Sequence, residues 1–319
     1  MKIAHISDLH FSTFFKNSNL KDIKHLLKYI IRTDVDHIVI TGDLTDNADQ
    51  KDFEILRKLF KSFDILRSDR LSLVIGNHDI FGGLQTPEDI LNFPEKCNNV
   101  NYDNMVKQFS DYYFETFSGT NKNDGSYFPF VKELNDIQFI GLNSIARYSK
   151  VKNPFGSNGK IPDNELIETA TLLRKIPSEN KKRIVLVHHH FNKIKLQKNG
   201  FASDFWQKIE KQTMKLKKKK RIIAFFKEHN IDIVLHGHWH SNLEYSRDQI
   251  RFFNAGATIK GNFIDELQVN FINTSPDNTI METHKLVANS SIIIHRNSFQ
   301  DGIESVKEET DRLKKAVNY

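Results

Sequence analysis

The sequence predicts an α/β protein whose sheets are covered by helices, and three observations carry that prediction. From residue 1 to residue 187, apolar β-branched runs alternate with amphipathic stretches. Polar side chains of the metal-ligand type follow five of the apolar runs. Beyond Gly237 the alternation stops, and short runs succeed one another without helices between them.

The runs at residues 2–7, 37–41, 71–75, 183–187 and 231–235 each read as a buried strand. After the first, residues 20–32 place Ile23, Leu26, Leu27, Ile30 and Ile31 on one helix face. Residues 49–63 repeat the spacing with Phe53, Leu56, Leu59, Phe60 and Phe63, so both helices should pack on a sheet. The alternation lapses between residues 80 and 125, which carry Tyr102, Phe109, Tyr112, Tyr113, Phe114 and Phe117. A long insertion after a strand end builds an active-site wall, or it is a helix whose aromatics fill the core; both readings stay open.

Residues 126–131 and 137–142 read as paired strands joined through Asn135-Asp136. A helix should start at Pro162-Asp163, since the first turn tolerates proline. Residues 243–247, 250–254, 263–272 and 291–296 read as consecutive strands, so this part of the sheet system is expected to be antiparallel or mixed. Residues 304–317 read as a charged terminal helix.

The 319 residues suffice for one large domain, alone or with appendages. The single cysteine, Cys97, excludes an intramolecular disulfide framework and fits a reducing compartment. Asp8 and His10 fall where a secretory leader needs its apolar stretch, and no run reaches the roughly 20 apolar residues of a membrane span. A cytoplasmic protein without a membrane span is the expectation. The net charge of +6 suits an anionic substrate. Much of the excess lies between Lys208 and Arg221, with Lys211, Lys215 and Lys217 to Lys220 against Glu210 alone. Such a run can meet nucleic-acid phosphates or lipid headgroups, but the expected reading is a solvated face.

The chemistry sits in Asp8-Leu9-His10, Gly42-Asp43, Gly76-Asn77-His78-Asp79, His188-His189-His190 and Gly237-His238-Trp239-His240. Strand ends in one sheet lie side by side, so these groups can converge on one cleft. Two divalent ions held close together need a shared anionic oxygen, and Asp8 or Asp43 can supply it. Neutral His10, His188, His238 and His240 and the Asn77 amide add ligands without adding negative charge, which leaves room for a hydroxide and a phosphate. Mixed His, Asn and Asp ligation favours Mn, Fe, Zn or Co over Ca or Mg.

In the order and strand context of these segments the chain resembles the calcineurin-like metallophosphoesterases, and Ile6-Ser7-Asp8-Leu9-His10 resembles the small bacterial cyclic-nucleotide phosphodiesterase branch. Gly141-Leu142-Asn143-Ser144, Gly159 with Glu165-Leu166, and Asn254-Ala255-Gly256 extend the resemblance to a catalytic domain over residues 1–261, with residues 262–319 as C-terminal strands and helix packed on it. The resemblance implies a four-layer α/β/β/α sandwich of two mixed sheets flanked by helices. It implies that Asp8, His10, Asp43 and His240 hold one metal and that Asp43, Asn77, His188 and His238 hold the other, with Asp43 as bridge. His188 is preferred as the first residue after its strand, with His189 as the alternative. His78 then stands beside the leaving oxygen as donor, Asp46 is its carboxylate partner, and Asn77 helps stabilise phosphoryl charge. For Asp79 a turn-capping role is at least as well founded as a catalytic one.

The expected activity is hydrolysis of a phosphodiester or phosphomonoester, with a nucleotide favoured, by attack of a metal-bound hydroxide. The Tyr102 to Phe117 stretch is a candidate platform for a base. The alternatives are a DNA or RNA nuclease of the same superfamily, drawing on the basic run, and a non-catalytic scaffold. Scaffolds tend to lose ligands, and here every expected position is filled. A protein phosphatase is disfavoured, because those relatives carry Arg and Glu where this chain has Asn47 and Asp79.

Overall fold

The computed structural model describes residues 1–15, 19–84, 89–176, 181–192, 214–260, 266–275, 278–287 and 291–296. In chain order the first elements are β1 (Lys2–Ile6), α1 (Asn19–Arg32), β2 (His37–Ile40), α2 (Gln50–Ser62), β3 (Leu71–Leu73), α3 (His78–Phe81), α4 (Asp89–Asn99) and α5 (Tyr102–Tyr112). A 3-10 turn (Phe114–Phe117) leads to β4 (Asn121–Lys122), β5 (Phe130–Leu134), β6 (Ile137–Gly141), α6 (Asp163–Lys175), β7 (Lys182–Leu186), α7 (Lys219–Glu228) and β8 (Ile233–His236). Six strands close the described chain: β9 (Leu243–Arg247), β10 (Ile250–Asn254), β11 (Ile259–Lys260), β12 (Glu266–Thr274), β13 (Thr279–Val287) and β14 (Ser291–Arg296).

These strands form two seven-stranded sheets. The first has the order β14-β13-β12-β1-β2-β3 with β11 on β12, and the second has the order β4-β5-β6-β7-β8-β10-β9. Both are mixed: β1, β2 and β3 pair in parallel, whereas β12 joins β1 antiparallel. In the second sheet β6, β7, β8 and β10 run parallel between antiparallel edges.

Period-two burial on both faces explains why the central runs read as continuous apolar segments. On β7 and β8, Ile184, Leu186, Ile233 and Leu235 join the core shared with the first sheet, α1 and α2. Their neighbours Val185, Val187 and Val234 join a second core under α6 and α7. The layers are therefore helix, sheet, sheet, helix, as expected. Lys132 on β5 ties the sheets together, its buried Nζ donating to the Leu71 carbonyl at 2.8 Å.

The first two helices form where the apolar spacing places them, and Asp49 caps α2 through the Lys51 amide. The described residues between 80 and 125 fold mainly as helices, and Phe109, Tyr113 and Phe117 are buried in the core. The core reading of that stretch thus holds for its interior rings, while Tyr112 and Phe114 line a cleft between α2 and α5. The strand expected at 126–131 begins later, at Phe130, after Pro129, which has no N–H for the ladder. The sequence reading missed β13, whose buried positions include Met281 and Thr283 beside exposed Ile280, so its apolar alternation is weak. The C-terminal strands extend the first sheet through β12. The helix expected at 304–317 and residues 208–213 of the basic run lie outside the described residues.

Candidate metal centre

The site forms where strands β1, β2, β3, β7 and β8 end. Past β1 and β2 the two chains zip together: the Asp8 amide donates to the Gly42 carbonyl and the His10 amide to the Asp43 carbonyl, each at 3.0 Å. This pairing holds Asp8, His10 and Asp43 at φ of 54°, 44° and 51°, and His238 stands at 67°. Non-glycine residues seldom adopt this left-handed region, and clusters of them mark functional sites. Gly76 lets the β3 turn approach, since a Cβ there would lie 2.1 Å from Asp43 Oδ1 and 2.2 Å from its backbone nitrogen. Asp79 clamps the same turn, Oδ1 accepting from the Thr45 amide at 2.9 Å and Oδ2 from the Gly76 amide at 3.0 Å. Its carboxyl is pushed up to about 7 by burial and by Asp43.

Seven of the expected side chains converge on two clusters. In one, His188 Nε2 lies 3.2 Å from Asp43 Oδ2, 3.1 Å from Asn77 Oδ1 and 3.1 Å from His238 Nδ1. The other nitrogen of His188 donates to the Thr41 carbonyl at 2.7 Å. In a neutral ring Nε2 is then an acceptor, so its lone pair faces those of the Asp43 carboxylate and the Asn77 amide oxygen. In the second cluster, His10 Nε2 lies 3.8 Å from Asp8 Oδ1, 3.9 Å from Asp43 Oδ2 and 3.4 Å from His240 Nε2. His10 Nδ1 donates to Asp46 Oδ1 at 3.1 Å, which again leaves Nε2 an acceptor. Asp8 Oδ1 is buried without a hydrogen-bond partner, 3.5 Å from His240 Nε2.

Crowded acceptors without donors are unfavourable unless a cation stands among them. The donor set therefore fits two metal ions, with Asp43 Oδ2 facing both clusters. The electrostatics agree. Burial opposes charge on His188, but Asp43, Asp8 and the Thr41 carbonyl outweigh it and lift its pKa to about 9. Burial likewise opposes ionisation of Asp43, yet His188 and His78 hold its carboxyl well below the usual range. The histidine and aspartate groups Asp8-His10-His240 and Asp43-His188-His238 each bring their ligand atoms within 4.8 Å of one another.

His78 stands outside these clusters. Its ring meets His10 edge-on at 4.5 Å, and its Nδ1 lies 3.1 Å from the Asp46 carbonyl and 3.4 Å from the Asp46 carboxylate. Asp46 thus sits between two histidines, closer through its carboxylate to His10 than to His78, a double position that the sequence did not reveal. The amide of His78 donates to Asp43 Oδ1 at 2.8 Å.

Of the three successive histidines only His188 aims at Asp43. His189 points the other way: Nδ1 accepts from the Ser144 hydroxyl at 2.8 Å, and Nε2 donates to the Ser157 carbonyl at 3.1 Å. Its ring still packs on His238 at 4.3 Å, so it braces the cluster from behind. The residues Asn143-Ser144 and Asn254, noted as motif matches, have structural work here. The Asn143 amide donates to buried Glu165 at 2.7 Å, and Asn254 Nδ2 donates to the carbonyls of Trp239 and Ser241, pinning the His238–His240 turn.

A helix-flanked pair of mixed sheets carries two His/Asp clusters at its strand ends, each suited to hold a metal ion. The chain belongs to the calcineurin-like phosphoesterase family, whose sequence pattern matches residues 1–242. Among relatives, an uncharacterized metallophosphoesterase, YhaO of Bacillus subtilis, is 33% identical over 100 residues. That stretch is 30% of this chain and 23% of the relative. A dimetal phosphatase from Danio rerio has a similar fold, with a TM-score of 0.60 at 9% identity over 93% of this chain and 99% of that one. The purple acid phosphatase PPD1 from yellow lupin gives 0.53 at 12% identity over 95% of this chain and 55% of its own. The two solved structures bear on the fold alone, and the family match is to calcineurin-like phosphoesterases at large, not to the cyclic-nucleotide phosphodiesterase branch in particular.

Proposed function

We propose that the chain hydrolyses a small phosphodiester or phosphomonoester, with a nucleotide favoured, at a dinuclear centre. In this reading Asp8, His10, Asp43 and His240 hold one divalent ion and Asp43, Asn77, His188 and His238 hold the other. The observation that carries the reading is the position of Asp43 Oδ2, buried and facing both His10 and His188. Two first-row divalent ions would supply Lewis acidity at the phosphoryl oxygens and acidify the attacking water.

The protein's own groups do the rest. Burial disfavours a charged His78, but without metal ions Asp43 and Asp46 outweigh it and lift the pKa to about 9. With Nδ1 turned to Asp46, Nε2 is the atom that donates to the leaving oxygen. The Asn77 amide and the cationic surroundings favour the phosphoryl charge that builds up during attack.

The described part of the basic run gives little support to the nuclease alternative. Lys218 and Arg221 pair with Asp163 at 3.3 and 2.9 Å, and Lys219 Nζ donates to the Asn192 carbonyl at 2.8 Å. The deciding experiment is a screen of phosphomonoesters, linear diesters, cyclic nucleotides and single-stranded DNA with Mn, Fe and Zn. Turnover of DNA alone would move the assignment to a nuclease, and no turnover of any ester by metal-replete protein would point to a scaffold.

A further inference from the structure

We propose that Thr258 is a positioning residue for the pair Asp8 and His240, and that its hydroxyl governs the affinity of the one metal ion those two side chains share. The proposal rests on the dinuclear reading above. It adds a group that lies outside the ligand set and outside residues 1–242, which the family pattern matches.

Ser7 leads directly into Asp8, and Thr258 grips it at both backbone groups. The Ser7 amide donates to Thr258 Oγ1 at 2.9 Å, and the Thr258 amide donates to the Ser7 carbonyl at 3.0 Å. In an antiparallel ladder two backbones would exchange both of these bonds. The register of β1 on β12, with His5 opposite Asn270, would bring Gln268 opposite Ser7, but the Gln268 amide donates instead to the Thr258 carbonyl at 3.0 Å. Thr258 thus stands between the two strands and offers its side-chain oxygen where a strand would offer a carbonyl. Ser7, Asp8 and Thr258 are fully buried, so losing that oxygen leaves the Ser7 amide unpaired in the interior. Beyond Ser7 the Asp8 amide is held by the Gly42 carbonyl, and between these two grips the Asp8 backbone stays at φ 54°.

The same short segment fixes His240. Asn254 Nδ2 donates to the carbonyls on either side of it, those of Trp239 and Ser241, and the Ala257 amide donates to the His240 carbonyl at 3.3 Å. The His240 side chain is 57% exposed, so packing gives it little hold, yet its Nε2 lies 3.5 Å from Asp8 Oδ1. Residues 254–258 therefore set the spacing between a ligand at the end of the first sheet and a ligand at the end of the second. Asn254 and Ala257 hold His240, and Thr258 holds the approach to Asp8. The His188 cluster feels Thr258 at second hand, through the Ser7 hydroxyl on the Thr41 carbonyl and the His238 amide on Asp8 Oδ2, each at 3.1 Å. The ion at Asp8 and His240 should accordingly depend on Thr258 more than its neighbour does.

The test is calorimetric titration of the metal-stripped protein with Mn, the two binding steps being assigned with His240→Ala and His188→Ala. Thr258→Val keeps the shape of the side chain and removes the acceptor. It should weaken the step lost in His240→Ala roughly tenfold, the scale of a partner behind a metal ligand, and should change the step lost in His188→Ala much less. Thr258→Ser restores the hydroxyl and should bind both ions as wild type does, while Thr258→Cys, with a weaker acceptor, should fall between. Wild-type affinity at both steps in Thr258→Val, an equal loss at both, or a serine variant as weak as the valine one would each overturn the positioning role. Should Thr258→Val not fold, the serine and cysteine variants decide, since equal affinities in those two would overturn it as well. Wild-type protein that takes up fewer than two Mn ions would refute the dinuclear reading itself, and the positioning role with it.

Discussion

Replacing Asp46 by asparagine separates the two jobs of one buried carboxylate. Asp46 Oδ1 accepts from His10 Nδ1 at 3.1 Å and lies 3.4 Å from His78 Nδ1, whereas the Asp46 carbonyl is 3.1 Å from that same His78 atom. In Asp46→Asn the amide oxygen can still accept one hydrogen bond, so the geometry survives and the charge is lost. Carboxylates behind metal-binding histidines are worth about 10–100-fold in metal affinity, or roughly 1.4–2.7 kcal/mol. The loss should fall on the ion held with His10. His78 keeps its carbonyl contact, but it loses part of the stabilisation of its protonated form. A raised histidine pKa means that the donor form is present below that pKa and is lost as pH rises through it, so the alkaline limb of the rate profile should move to lower pH. Calorimetric Mn titration and a pH profile of kcat measure the two effects. Wild-type metal affinity in the variant would refute the His10 role, and an unmoved alkaline limb would refute the His78 role.

Other expected outcomes follow from the same geometry. His78→Ala and Asp43→Ala should both suppress hydrolysis, but only Asp43→Ala should greatly lower metal content; equal metal retention by elemental analysis would contradict the roles given to them. His188→Ala should cost metal stoichiometry, whereas His189→Ala should keep both metals yet lose roughly 2–4 kcal/mol of stability in urea, since it empties a buried site and unpairs Ser144. Gly76→Ala should fold less stably and bind metal more weakly, because the new Cβ would collide with the Asp43 backbone nitrogen as well as its carboxylate. Burial pushes the Lys132 amine down to about 7, so over the range from there to about 10.5 the unfolded chain binds the extra proton and stability rises with pH. Urea unfolding of Lys132→Met at pH 7.5 and 9.5 should show a flatter pH dependence than wild type, and an identical slope would remove Lys132 as its source.

The strands that carry the site were legible because each is buried on both faces and closed by a polar turn, as with Ile184 to Leu186 before His188. The convergence of Asp8, Asp43, Asn77, His188, His238 and His240 was legible because parallel neighbours bring their ends together. Less could be read where burial and hydropathy part company. On β13, Thr283 is buried and Ile280 is exposed, which erases the alternation. The double use of Asp46 and the bracing by His189 depend on ring orientation, which no residue spacing encodes.

The proposed metal ligands are also among the residues whose backbones are strained, and the two features have one cause. A side chain at a strand end normally continues the pleat and points to one face or the other. Turning Asp8, His10 and Asp43 inward together requires the chain to break the pleat sharply, and the left-handed conformation does so at about 1–2 kcal/mol per non-glycine residue. The hydrogen bonds from Asp8 to Gly42 and from His10 to Asp43 hold that conformation whether or not a cation is present. The facing lone pairs of His188, Asp43 and Asn77 are a further strain that only positive charge relieves. Without metal that charge is a proton on His188, favoured by a pKa near 9. Metal binding must therefore displace this proton, and its affinity should rise with pH until His188 is neutral in the free protein.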